Sequence, residues 1–230
     1  MVVFYKQRNI SRIVLFRHIL YTGYEALGII TLIAFAIGGI IVLEGNSILS
    51  GFGQSKIFYT ILVSVVTREL SCILTAFIIT ARSGTAIATE LGNMVVNHEI
   101  EALQSFGISP ISYLIIPRVL GVLISLVILT IFFNAAAILG GWLISSFFYS
   151  INIFDFLYFI FSELTLKDIF SSISKSVCFG FAIAVISSYE GLNVTFASTE
   201  VPQRTIKAVV GSLTWVILLD IIITALFYFT

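Results

Sequence analysis

Positions 26 to 43 carry no charge, an uninterrupted run of 18 residues that comes close to the roughly 20 needed to cross about 30 Å of hydrocarbon. The run predicts a first membrane span over about 25–44, closed by the polar turn Glu44, Gly45 and Asn46. Apolar residues resume at Ile57 and continue to Ala81, broken only by Arg68 and Glu69, which predicts a second span over about 57–81. Residues 119 to 154 hold no charge at all, enough for a tilted third span over about 111–145. Beyond it, residues 147–161 (FFYSINIFDFLYFIF) are so aromatic that they are expected along the membrane interface, as a short helix or a re-entrant hairpin. Two further runs, with Lys175 and Asp220 embedded, predict spans over about 170–190 and 207–229. The first 22 residues alternate Ile10, Ile13, Val14 and Phe16 with Arg8, Ser11, Arg12 and Arg17, as an amphipathic helix on an anionic surface would. A cleaved signal is disfavoured, because the apolar run that follows exceeds the usual 7 to 15 residues.

The fold class expected is therefore an all-α integral membrane protein forming one domain over 1–230. It has an N-terminal interfacial amphipathic helix (1–22), five transmembrane helices, and a cytoplasmic coupling helix between spans two and three.

Composition agrees. Hydrophobic residues make up 59% of the chain and charged residues 10%, against roughly 25% charged in a soluble domain; mean hydropathy is +1.10. Twelve basic and twelve acidic residues cancel, so no net field points to nucleic acid as a partner. Cys72 and Cys178 both fall within apolar spans and read as small buried hydrophobes.

The placement of basic residues sets an orientation. With the N-terminus inside, Lys6, Arg8, Arg12, Arg17, Arg82, Arg118, Arg204 and Lys207 are cytoplasmic, whereas only Lys56 and Lys167 lie opposite. The C-terminus, with Tyr228 and Phe229, is then expected on the outer side.

Between Arg82 and Arg118 the pattern stays helical. Gly84, Ala88 and Gly92 repeat small residues every fourth position, which lets two helix backbones approach. Ile87, Leu91, Met94, Val95, Leu103 and Phe106 form an apolar face, with Glu90, Asn97, Glu101 and Gln104 opposite. The expectation is one coupling helix over about 84–106 that either covers the membrane surface or docks a cytoplasmic partner through Glu90, Glu99, Glu101 and Gln104. Gly107 is the expected C-cap, with Ser109 and Pro110 as N-cap and first residue of the next helix.

Arg68, Glu69, Lys175 and Asp220 put two positive and two negative charges inside membrane spans. An isolated charge there costs at least about 2.5 to 3.5 kcal/mol, so such groups pair or line a polar path. Arg68 and Glu69 lie about 100° apart on a helix and cannot share one partner; the simplest neutral arrangement pairs Arg68 with Asp220 and Glu69 with Lys175. The cluster is either a structural knot or part of a conformational switch. No Gly-x-x-x-x-Gly-Lys-Ser/Thr phosphate loop is present, His98 and Glu99 lack the second histidine of a zincin, and no Gly-x-Ser-x-Gly elbow occurs. No cofactor or catalytic residue is expected in this chain, and any energy from ATP has to arrive through another one.

The run RELSCILTAFIITARSGTAIATELGNMVVNHEIEALQSFGISPISYLIIPRVLG, residues 68 to 121, resembles the MlaE permease family, the membrane subunits of lipid-moving ABC transporters that work with MCE proteins. The likeness continues through LTIFFNAAAILGGW (129–142), KSVCFGFAIAVISSYEG (175–191) and LDIIITALF (219–227). Its most specific parts are ARSGTAIATELG with the following Glu101, and IIPRVLG. Residues 101–117 also look like the docking loop of ABC importer permeases. The family usually follows its Arg-Glu pair with Leu-Gly-Pro, whereas Leu70, Ser71 and Cys72 stand here; Leu192 follows Gly191 where Tyr is common.

The resemblance implies a homodimer in the bacterial inner (cytoplasmic) membrane, a plastid inner envelope being also compatible. It further implies two ABC ATPase subunits on the cytoplasmic side, an MCE-type partner on the other, and a lipid cargo. Independently, the outer half of span one is rich in bulky apolar residues, so Phe35, Ile40 and Leu43, with Glu44 closing the span, are candidate lipid-binding residues. The alternative is a secondary transporter or channel using the four intramembrane charges as an ion relay, which would need no ATPase.

Overall fold

A computed structural model describes residues 19–20, 22–49, 60, 62–149, 152–195 and 197–229; the interfacial helix expected over 1–22 lies almost wholly outside them. The regular structure among the described residues is all helical, with helices long and apolar enough to cross a membrane at residues 22–45, 63–96, 111–148, 166–192 and 200–227. We number the helices α1 (Leu27–Leu49), α2 (Val63–Val96), α3 (Glu99–Ser105), α4 (Ile116–Tyr149), α5 (Ile153–Glu163), α6 (Leu166–Leu192) and α7 (Glu200–Phe229). All five expected spans are present, each longer than the apolar pattern alone indicated. At about 1.5 Å per residue the 34 residues of α4 reach roughly 50 Å, so this helix tilts or projects beyond the hydrocarbon.

Two stretches of α2, Val63–Leu70 and Thr80–Gly84, are π-helical, as is the turn Ile111–Ile115 leading into α4. Such wide turns are uncommon and often accompany functional positions.

Helix α6 sits at the centre, against α2, α4 and α7, while α1 packs on α4. Small residues make the central position tolerable. A Cβ on Gly180 would stand 3.1 Å from Leu123 Cα, and one on Gly191 2.8 Å from the Ala88 carbonyl oxygen. Gly84 and Gly92 approach α6 and α7 in the same way, at Ser187 and Val201; the four-residue small stripe is thus a helix-packing surface. Phe133, Phe179, Leu126, Ile183 and Phe156 are fully buried, whereas Ile128, Ile131, Phe181, Ile221 and Leu226 face outward, as suits a bundle whose solvent is lipid.

The α1–α4 crossing is closer still. A Cβ on Gly38 would overlap the Ala137 carbonyl, and one on Gly140 would fall 2.8 Å from Phe35 Cα. Gly39 and Gly141 complete the contact against Ile144 and Val42. With no side chain between them, the two backbones are in direct van der Waals contact.

The segment expected as one coupling helix over 84–106 is divided. Residues 85–96 continue α2, Asn97 and His98 break it, and α3 follows. The break has a local cause: His98 takes a left-handed conformation, φ 58°, which His and Asn adopt more readily than most residues. Apolar periodicity carries across this break without registering it. Phe106, expected on the apolar face, is 79% exposed. Gly107 does cap α3: its φ is +72°, its N–H donates to the Gln104 carbonyl at 2.9 Å, and Ile108 N–H donates to Leu103 at 3.0 Å, a Schellman arrangement. The aromatic stretch after α4 includes α5, which buries Phe156 and Ile160 and exposes Phe154, Tyr158 and Phe161.

Candidate functional site: an ion cluster between three spans

Lys175 is placed by α6 at the junction with α2 and α7, and none of its side chain is exposed. Its Nζ donates to Glu69 Oε2 at 2.6 Å and to the Arg68 carbonyl at 3.3 Å, and stands 2.9 Å from Asp220 Oδ1. Thr224, one turn beyond Asp220, donates to Glu69 at 3.4 Å. One ammonium therefore joins carboxylates from two other helices through charge-assisted bonds, which are shorter and roughly twice as strong as neutral ones.

The pairing of Glu69 with Lys175 is as the sequence suggested; that of Arg68 with Asp220 is not. Asp220 lies on Lys175, and Arg68 Nε contacts Asp168 instead. Consecutive residues leave the helix in different directions, which turns Arg68 away from α7 and toward the start of α6. Asp168 is 1% exposed and serves α6 as well, its Oδ2 accepting the Thr165 backbone N–H at 2.9 Å and its hydroxyl at 2.8 Å. This reciprocal cap lets α6 begin at Leu166 rather than near residue 170. Asp168 was therefore missed as a site residue because the apolar pattern left it outside the span. The Thr165-Leu-Lys-Asp168 spacing was the available signal.

Around the ions runs a belt of hydroxyls. Ser176 Oγ donates to the Ser172 carbonyl at 2.8 Å and lies 3.0 Å from Thr130 Oγ1, and Cys72 Sγ lies 3.3 Å from Ser172 Oγ. On the other side a cleft of about 360 Å³ opens between α2, α6 and α7, lined by Arg68, Glu69, Lys167, Asp168 and Thr224 among others.

The opposite end of the bundle holds a different set of ions. Arg118, 2% exposed, reaches Glu90 Oε1 at 2.8 Å, Arg204 reaches Glu190 Oε2 at 3.2 Å, and Arg82 pairs with Glu25. Thr89 and Thr205 hydrogen-bond at 3.0 Å. Of the four expected docking residues, Glu90 is thus tied to a buried arginine. Glu99, Glu101 and Gln104 lie on α3, where no residue is buried, and Glu101 pairs with exposed His98 at 3.0 Å. Arg118 was not singled out beforehand; its place in IIPRVLG at the head of a span was the clue.

Phe35, Ile40, Leu43 and Glu44 stay on α1, away from the ion cluster. All four are exposed, Ile40 at 56% and Phe35 and Leu43 at 37% each, and Phe35 touches α4 through its backbone.

The family model described as Permease MlaE matches residues 15–226. The chain belongs to the MlaE permease family. Relatives of this permease include a probable ABC transporter permease protein of Rickettsia typhi, 30% identical over 212 residues, 92% of this chain and 82% of the relative. Another, from Synechocystis sp., is 35% identical over 191 residues, 83% and 73%. The chloroplastic Protein TRIGALACTOSYLDIACYLGLYCEROL 1 of Arabidopsis thaliana is 30% identical over 207 residues, 90% of this chain and 59% of the relative. The protein is accordingly a multi-pass permease subunit of the ABC transporter type.

Proposed function

We propose that this permease is the membrane half of an ABC transporter that moves phospholipid or a related lipid between the membrane and an MCE-type partner. A separate ATPase drives it by docking on the α3 end. In this reading two copies form a homodimer in the bacterial inner membrane, with the N-terminus cytoplasmic. The observation that carries the reading is α3 itself: a seven-residue helix hung from the end of α2, with Glu99 and Glu101 in its first turn and nothing buried. A helix with no fully buried residue, Ile100 and Leu103 being half-buried, leaves a face for a partner, and its acidic first turn suits a basic or hydrogen-bonding cleft. Lipid cargo is supported by the outward apolar face of α1 at Phe35, Ile40 and Leu43, and by a relative whose name is that of a glycolipid.

Charge reversal tests the docking. Glu101→Lys, alone and with Glu99→Lys, is expected to lower recovery of the ATPase in pull-downs at least tenfold, an effect of about 1.4 kcal/mol, while membrane insertion stays normal. Undiminished recovery of the ATPase by both variants would remove α3 from the interface. ATP-dependent lipid transfer by the reconstituted complex then tests the cargo.

A further inference from the structure

Away from the ion cluster, three serine hydroxyls lie inside the junction of α2, α6 and α7. Ser187 and Ser212 are fully buried and Ser83 nearly so, and the Oγ of each lacks a hydrogen-bond partner among the described residues. A helical serine or threonine commonly turns its hydroxyl back on its own helix. Ser71, Thr80, Ser176 and Thr205 do so here, donating to the carbonyls of Thr67, Ala76, Ser172 and Val201 at 2.8–3.1 Å. Ser83, Ser187 and Ser212 make no such bond.

The three meet at one level of the bundle. Helices α2 and α7 run antiparallel, with Gly92 against Val201 at one end and Glu69 against Thr224 at the other. Thr89 and Thr205 are bonded across them at 3.0 Å. From that bond toward the ion cluster, Ser83 lies six residues back along α2 and Ser212 seven on along α7, rises of roughly 9 and 10 Å. Ser187 joins from α6, its Oγ 3.1 Å from where a Cβ on Gly84 would stand, and Gly211 approaches the same turn of α6 at Ile186. Glycines therefore flank Ser83 and Ser212 and add no side chain to the layer. Ile79, Phe179, Ile183 and Val216, all fully buried, occupy the turns between this layer and Lys175. The hydroxyls and the ions are thus separate polar layers with an apolar one between them.

We infer that Ser83, Ser187 and Ser212 together hold an internal water between α2, α6 and α7. A buried hydroxyl left unmatched forfeits more free energy than an ordinary hydrogen bond returns, and lipid tails offer no partner. An internal water makes about three hydrogen bonds to polar groups that the protein leaves unmatched, and three hydroxyls from three helices supply that number. A hard cation is a poorer occupant, since three neutral oxygens fall short of the about six that it takes. The junction is accordingly ionic at one level and hydrated at another.

Radiolytic footprinting of the full chain in detergent reads the water directly, because radicals formed from a bound water oxidise the buried side chain beside it. Ile183, whose Cγ2 is 3.6 Å from the same Cβ position on Gly84, is expected to be oxidised, and Ile30 of α1, equally buried, is not. Equal rates at the two isoleucines would overturn the site. Stability then counts the bonds: Ser83→Ala, Ser187→Ala and Ser212→Ala are each expected to raise the unfolding constant about fivefold, as loss of one hydrogen bond does. The triple variant should fall well short of the product of the three, since a shared water leaves with the first hydroxyls, and should bring Ile183 down to the rate of Ile30. A neutral or stabilising alanine would show a hydroxyl that bonds nothing, and losses that multiply would show three separate bonds within the helices; either overturns the shared water. Greater stabilisation by sodium chloride than by choline chloride, lost in the triple variant, would assign the layer to a cation and overturn it equally. Neither cargo nor ATPase enters these measurements, so a failure of the transport reading leaves this site standing.

Discussion

Two seams hold the bundle together by opposite means. Between α1 and α4 the contact is backbone on backbone, with Gly38 against Ala137 and Gly140 against Phe35 and no charged side chain in the crossing. Between α2, α6 and α7 the contact is ionic, centred on Lys175. The first has one shape, since any added atom collides with a main chain. The second is a set of directional bonds among long side chains, which can be broken and remade by modest rotations of a helix.

The largest expected effect breaks the ionic seam. Lys175→Met leaves Glu69 and Asp220 facing each other without a cation, and removing one member of a buried ion set costs about 3 to 5 kcal/mol. Thermal unfolding in detergent should show that loss, and Lys175→Met combined with Glu69→Gln and Asp220→Asn should regain most of it. A triple variant no more stable than the single one would mean that these three residues are not a self-contained set.

Next in size is the glycine seam. Gly38→Ala and Gly140→Ala each force a methyl group into backbone, and overpacking of this kind costs about 1 to 3 kcal/mol. Gly28→Ala is the control, since a Cβ at Gly28 would meet nothing within 4 Å. Melting temperatures for the three should separate into two depressed and one unchanged or raised; a uniform response would show that α1 and α4 do not cross at these glycines.

The smallest effect distinguishes acids that look alike in sequence. Glu90→Gln withdraws the counterion of Arg118, which is 2% exposed, and is expected to lower stability by about 1 kcal/mol. Glu101→Gln loses only an exposed pair with His98 and should change stability by less than about 0.5 kcal/mol. Equal responses in chemical denaturation would place Glu90 with Glu101 among acids held only by exposed contacts.

The spans were legible because lipid imposes a coarse demand, a long uncharged run, that residues 26–43 and 119–154 meet by themselves. The Glu69–Lys175 bond was legible because charges inside spans have few places to go. Asp168 was not, because a reading by apolar runs begins α6 after it, and only the cap geometry with Thr165 draws it into the helix. The doublets Gly38–Gly39 and Gly140–Gly141 announce close approach without saying to what, since the partner is set in three dimensions. The break at His98 was hidden for a related reason: a single left-handed residue leaves apolar spacing nearly undisturbed.

The ionic seam also bears on how the chain is made. Glu69 is bonded to a lysine 106 positions later, so α2 enters the membrane long before its counterions exist. Arg68 and Glu69 stand side by side, and that adjacency gives the nascent segment zero net charge while it waits. Consecutive residues on a helix do not face each other, so the segment is neutral overall while each charge still lacks its bonded partner. Those partners come only with α6 and α7, as Asp168, Lys175 and Asp220 arrive in turn from the ribosome.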